Sequence, residues 1–188
     1  MAFARRSWKS PRGRLLRGAA VAVGAPLLVL AWWLGSPLFL DKTVDEEFHI
    51  VASGAPAAGE PQPANDAMVG ATPVLAGVFR DADSFHKGSG TATVYRLADG
   101  SHLLRLEDFD VTNGPDLFVY LSGHADPMSS SEVTNLGFFN LGDLKGNLGN
   151  QNYPIRDDLS VADYRSIVIY CRQFSIVFAV APLHPSGA

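Results

Sequence analysis

Cys171 is the sole cysteine among 188 residues, and no other side chain in the chain offers as wide a chemistry. A thiol can ionise to a nucleophile, bind a soft metal or a haem iron, or be oxidised. One thiol cannot close an internal disulfide, so stability has to come from a packed core. Cys171 ends the stretch Ser166-Ile167-Val168-Ile169-Tyr170-Cys171, in phase with Ile167 and Ile169, and a period-two pattern turns those three side chains to one face. Two readings stand side by side. In one, Cys171 is a small hydrophobe in a core; in the other, it is a redox thiol or an axial ligand to a prosthetic group. Arg172 next to it favours the thiolate, and burial among isoleucines disfavours it.

The remaining candidates are polar. Glu107, Asp108, Asp110, Asn113 and Asp116 crowd one strand end and turn. Oxygen ligands so placed suit Ca²⁺, but the spacing is not that of an EF-hand loop, and a solvated turn with Asx-type hydrogen bonds is the preferred reading. Residues 141–153 are dense in Gly and Asn. Such a run is read first as consecutive tight turns; bordering a groove, its amides and close backbone would suit a polar ligand. Ligand candidates are therefore Asn113, Asp116 and Tyr120 in one region and Asn152 and Tyr153 in another. The five histidines lack i, i+2 or i, i+4 spacing, and no metal site is assigned. H-E-x-x-H, C-x-x-C, C-x-x-C-H, P-loop and G-x-S-x-G motifs are all absent from the sequence, which argues against a stand-alone enzyme.

The elements that must position these residues are short and β-like. Period-two segments bounded by turns predict strands at 74–79, 90–97, 102–109, 117–122, 138–141, 165–171 and 175–181. Asp99-Gly100 marks a hairpin and Asn113-Gly114-Pro115 a break. Residues 159–165 have room for one helical turn. Seven to eight strands predict an all-β antiparallel sandwich or barrel over 74–183, with a tail at 184–188. Phase predicts core faces of Leu104 with Leu106, of Leu117 with Val119 and Leu121, of Ile167 with Ile169 and Cys171, and of Ile176 with Phe178 and Val180.

Ahead of that domain, residues 1–17 carry Arg5, Arg6, Lys9, Arg12, Arg14 and Arg17 and no acid, and residues 18–40 carry no charge. As a helix, the uncharged run would reach roughly 34 Å, enough for a bilayer core. It predicts a single transmembrane anchor with a cytoplasmic N-terminus and an extracytoplasmic C-terminal domain. A cleaved secretory signal is the competing reading, disfavoured by the length of the run and the Pro37-Leu38-Phe39-Leu40 that ends it. Residues 41–73 read as an acidic juxtamembrane segment followed by a flexible Ala/Pro/Gly-rich linker. All nineteen acids but only nine of the fifteen Lys and Arg follow the apolar run, a net charge of −10 that argues against nucleic acid as a partner.

Five short pieces in order suggest a relative. They are Gly77-Val78-Phe79 with His86 and Gly88-x-Gly90; Leu104-x-Leu106-x-x-Phe109; Gly114-Pro115-Asp116-Leu117-x-Val119-Tyr120-Leu121; Leu144-Lys145-Gly146-Asn147-x-Gly149-x-Gln151-x-Tyr153; and Tyr164-Arg165-Ser166-Ile167-x-Ile169-x-Cys171-Arg172-x-Phe174. Together, over about residues 74–183, they resemble the DM-thirteen domain, the electron transfer DM-thirteen family of cell-surface proteins. The resemblance implies a β-sandwich-like extracellular module. It also implies that Cys171 is a redox thiol or the ligand of a prosthetic group such as haem, with a redox or cell-surface protein as partner. The alternative is a non-enzymatic binding or adhesion module in which Cys171 only packs.

Overall fold

The computed structural model describes residues 24–26, 40–48 and 70–186. Among them no helix is long and apolar enough to cross a membrane. The expected anchor, 18–40, lies outside the described residues apart from 24–26 and Leu40, and so does the linker stretch 49–69.

The unit Asp41–Ala188 is a two-sheet β structure. Its strands are β1 (Thr43–Asp45), β2 (Thr72–Val78), β3 (Arg80–Asp81), β4 (Gly88–Arg96), β5 (His102–Val111), β6 (Leu117–Ser122), β7 (Phe138–Asp143), β8 (Leu148–Ile155), β9 (Ser166–Cys171), β10 (Ile176–Pro182) and β11 (His184–Pro185). One six-stranded sheet runs β1-β8-β5-β4-β2-β11, and a five-stranded sheet runs β3-β10-β9-β6-β7. All pairs are antiparallel except β1 with β8. The 97–101 hairpin closes as its Asp-Gly predicts, Leu97 N–H donating to Ser101 O at 2.8 Å.

The inner faces meet in one apolar core. It takes Leu104, Leu106 and Phe109 from β5, Leu117, Val119 and Leu121 from β6, and Ile167, Ile169 and Cys171 from β9. Apart from Phe109, these are the phased sets read from the sequence; Phe109 joins them because the β5–β8 register shifts between Leu106 and Phe109. β10 departs from its expected phase. Phe178 takes its expected place in the core, but a β-bulge between Val177 and Ala179 turns Val180 to the outer face, because one extra residue shifts the alternation on its far side; Ile176, at the start of the strand, is exposed. The outer face of the β6–β9 pair is also covered. Phe118, Tyr120, Val168, Tyr170, Val177 and Val180 pack there with Val133, which is carried by a short helix, α1 (Ser130–Asn135). A capping box starts that helix: the Ser129 side chain accepts from Glu132 N–H, and the Glu132 carboxylate accepts from Ser129 N–H, so two amides otherwise without helical partners are satisfied. The turn expected in 159–165 is a 3-10 turn at Val161–Asp163.

Several assignments differ from the sequence reading. Eleven strands form among the described residues in place of seven to eight, and His184–Pro185, in the expected tail, pairs with β2 as β11. The Gly/Asn-rich run 141–153, read first as turns, holds the end of β7 and most of β8, with a single connection between them. Its residues alternate as a strand does, Gln151 and Tyr153 buried and Asn150 and Asn152 toward the other side; amides replace the apolar residues that would have announced it. The acidic segment 41–48, placed by the sequence reading ahead of a domain beginning at Val74, adds to the sheet as β1. Its apolar pattern is hidden because Glu46 stands between Val44 and Phe48.

Candidate functional site

Cys171 is the last residue of β9, fully buried and without a disulfide partner. On one side its ladder partner is Leu117, on the other Ile176. The β9–β10 turn begins one residue later and is fastened to the 112–116 turn, since Arg172 N–H donates to Asp116 O at 3.1 Å and Arg172 Nε to Asp116 Oδ2 at 3.3 Å. The Arg172 guanidinium also covers Phe118, 4.3 Å from the ring centroid. Gly114 closes the end of the core from the other turn. A Cβ there would lie 2.9 Å from both Leu117 Cδ2 and Phe178 Cε1, so a larger residue would have to push those side chains aside or lift the turn. Phe178 is covered in turn by the His86 imidazole, centroids 4.2 Å apart.

His86 is held by Asp83. Its Nδ1 is 2.7 Å from Asp83 Oδ2, while the backbone N–H groups of Phe85 and His86 both donate to Asp83 Oδ1 at 2.7 Å. The hydrogen bond to the His86 ring, joined by those two amides, holds the Asp83 carboxyl at about 2, because each donor favours the ionised form. Cys171 thus sits at the end of the core closed by the 112–116 turn and the β9–β10 turn, and the 82–87 loop is bonded to that end through Thr112.

The candidates Asn113 and Asp116 belong to this end, Asn113 bending its turn by accepting from Gly114 N–H at 2.9 Å. Tyr120 does not join them. It lies on the outer face of the same sheet, stacked between Tyr170 (5.1 Å) and Phe138 (5.3 Å), and burial raises its phenol pKa. Tyr170 is anchored by a 2.6 Å hydrogen bond between its hydroxyl and Ser130 Oγ. Among the described residues no group of three His, Cys, Asp or Glu side chains is placed to hold a metal ion.

Asn152 and Tyr153 lie at a second place, the outer edge of the six-stranded sheet, and on opposite faces of β8. Asn152 N–H donates to Glu46 Oε2 at 2.7 Å and its side-chain amide to Glu47 O at 3.0 Å. Lys145 Nζ grips both Glu46 carboxylate oxygens at 2.8 and 2.9 Å. Burial raises the Glu46 pKa, but the bonds from Lys145 and Asn152 outweigh it and leave the carboxyl below its ordinary value. Tyr153 points inward, its hydroxyl donating to Gln151 Oε1 at 2.8 Å and accepting from Lys145 N–H at 3.1 Å; burial drives its phenol pKa well up. Fully buried Gln151 completes this network by donating to Gly146 O at 2.7 Å. Sequence reasoning missed Lys145, Glu46, Arg105 and Gln151 here and Asp83 at the first site. Asp83-x-x-His86 was the one spacing that could have revealed its pair, being short enough for a local turn.

The residues around Cys171 do not fit a haem. Its side chain has no exposed surface and is enclosed by core residues. The two surface depressions described, of about 510 and 340 Å³, are lined elsewhere, around Val78 and Thr91 and around Asp99 and His102.

The family model described as Electron transfer DM13 matches residues 79–183, more than half of the chain. No curated protein matches, and no solved structure does.

Proposed function

Because this chain belongs to the Electron transfer DM13 family, we propose that it is a membrane-tethered, extracytoplasmic redox or electron-transfer domain whose working group is the Cys171 thiol. The tether and its orientation rest on the uncharged run 18–40 behind six basic residues. The observation that carries the thiol is its position. The only sulfhydryl of a family domain lies one residue from a surface turn, beneath two loops fastened by the Arg172–Asp116 and Asp83–His86 contacts. At rest the thiol is shielded, so reaction requires the 112–116 and 172–175 turns to part without the sheets unfolding. No step through haem is invoked.

Native-state alkylation tests this. The full chain is treated with iodoacetamide over a range of mild denaturant concentrations. Local opening predicts a Cys171 labelling rate that is nearly independent of denaturant and faster than global unfolding permits. A rate that rises with denaturant in step with global unfolding would sink the redox reading. It would leave the second one, a surface binding module in which Cys171 packs, which the complete burial of the side chain favours.

A further inference from the structure

The structure holds a binding site that is independent of Cys171: the outer edge of β8 together with residues 145–147 and Arg105, which receives an extended acidic strand. Its occupant here is the chain's own segment 41–48. We propose that this edge also accepts the same strand from a second copy of the chain, so that two molecules exchange β1.

The edge reads the strand along its whole length. Backbone pairs form in parallel register, Thr43 with Leu148, Val44 with Gly149 and Asp45 with Asn150, and Glu46 N–H donates to Asn150 O at 2.8 Å. Side chains then select its sequence. Asn147 Nδ2 donates to Asp41 Oδ1 at 2.8 Å, and its Oδ1 accepts from Lys42 N–H at 2.6 Å. Asn150 Nδ2 donates to Asp45 Oδ1 at 2.6 Å. Lys145 takes the Glu46 carboxylate, Arg105 Nη1 donates to Glu46 O at 2.6 Å, and the Arg105 guanidinium lies 5.5 Å from the centroid of Phe48. Two positions leave room for the incoming backbone. A Cβ on Gly146 would be 2.3 Å from Lys42 O, and one on Gly149 would be 2.1 Å from Val44 O. Two cationic groups and three asparagines therefore face a segment holding Asp41, Asp45, Glu46 and Glu47.

Polar bonds, not core packing, hold this strand. None of residues 41–48 is fully buried, and a strand with so little apolar burial belongs to the part of a fold that opens first. Once it leaves, the edge presents unpaired backbone groups, Lys145 without the Glu46 carboxylate and Arg105 without the Glu46 carbonyl, though still beside Glu107, a surface that templates another strand. The same segment of a second molecule restores every contact. The balance between the two arrangements is then set by concentration alone, and exchange becomes competitive near the effective concentration of the tethered strand, on the order of millimolar.

The test uses two full-length chains in detergent with different affinity tags, one carrying D45C and the other N150C. Facing positions on paired strands are within disulfide reach, so a bond between these two chains reports exchange in this register. Mixed at about 1 mM and oxidised, they should give a doubly tagged covalent dimer, falling at least tenfold at about 10 µM. An excess of synthetic peptide spanning 41–48 should suppress it. Absence of the dimer, while a single chain carrying both D45C and N150C closes internally, overturns the exchange. A dimer that the peptide does not suppress overturns the assignment of this groove.

Discussion

Cys171 faces Leu117 across the β6–β9 ladder, with both side chains turned into the core between the sheets. The thiol has no hydrogen-bond partner among the described residues. Cys171→Ala is therefore expected to lose transfer energy and open a small cavity, at a cost of about 1–2 kcal/mol. Cys171→Ser keeps the volume but buries an unpartnered hydroxyl, and should cost more, roughly 2–3 kcal/mol. Denaturant midpoints of the three proteins give the order, and a serine variant as stable as wild type would place a polar partner at the site.

Gly114 is the lid position next to that thiol. Gly114→Ala sets a methyl against Leu117 and the Phe178 ring edge, and the 112–116 turn should lift to relieve it. We expect about 1–2 kcal/mol of destabilisation together with Cys171 alkylation at least fivefold faster. Equal labelling rates in the two proteins would mean that this turn is not the route to the thiol.

Glu46 gives the β1 strand a pH dependence. Its carboxyl is depressed in the folded chain, so its contribution is complete above the ordinary carboxylate range and is lost as pH falls through the folded value. Lys145→Ala should return the carboxyl toward its ordinary pKa and weaken the strand by about 0.5–1 kcal/mol. The Asn152 amide, which donates to Glu46, reports the titration by NMR. A midpoint at or above 4.5 in wild type would contradict the ion pair.

At the opposite end, Asp83 should titrate near 2 instead of 3.8. Whatever the Asp83–His86 contact adds is present above 3.8 and disappears as pH falls toward 2. His86→Ala removes the largest of the stabilising hydrogen bonds and should move the Asp83 carboxyl carbon titration upward. No movement would leave the backbone amides of Phe85 and His86 as the whole cause.

The main strands and the inward face of Cys171 were legible in the sequence because Leu104, Leu106, Leu117, Val119, Ile167 and Ile169 repeat with period two and sit between strong turn residues. The bulge at Phe178 was not, since Ile176, Phe178 and Val180 also keep that period and only the paired strand reveals the extra residue. β8 was obscured by Asn150, Gln151 and Asn152, whose amides satisfy strand neighbours without an apolar signature. The helix α1 was not read, since six residues have no apolar stripe and its start is marked only by the capping box of Ser129 and Glu132. At the candidate site, the pairing of Leu117 with Cys171 and the Arg172–Asp116 bond bring Cys171 and Asp116 close, a pairing of distant segments that no local pattern announced. Tyr120 went to the other face because position 120 is out of phase with 117, 119 and 121.

The parallel pairing of β1 with β8 has a mechanical consequence. Only Asp41 and Lys42 separate the uncharged run from that strand, so tension applied to the chain before Asp41 along the strand axis reaches the β1–β8 bonds first. Strands pulled along their length share the load among all their bonds at once, whereas strands peeled sideways yield one bond at a time. The Lys145–Glu46 pair and the Asn147 and Asn150 bonds then act together as a strain relief, shielding the hydrophobic core from force arriving at the amino-terminal end.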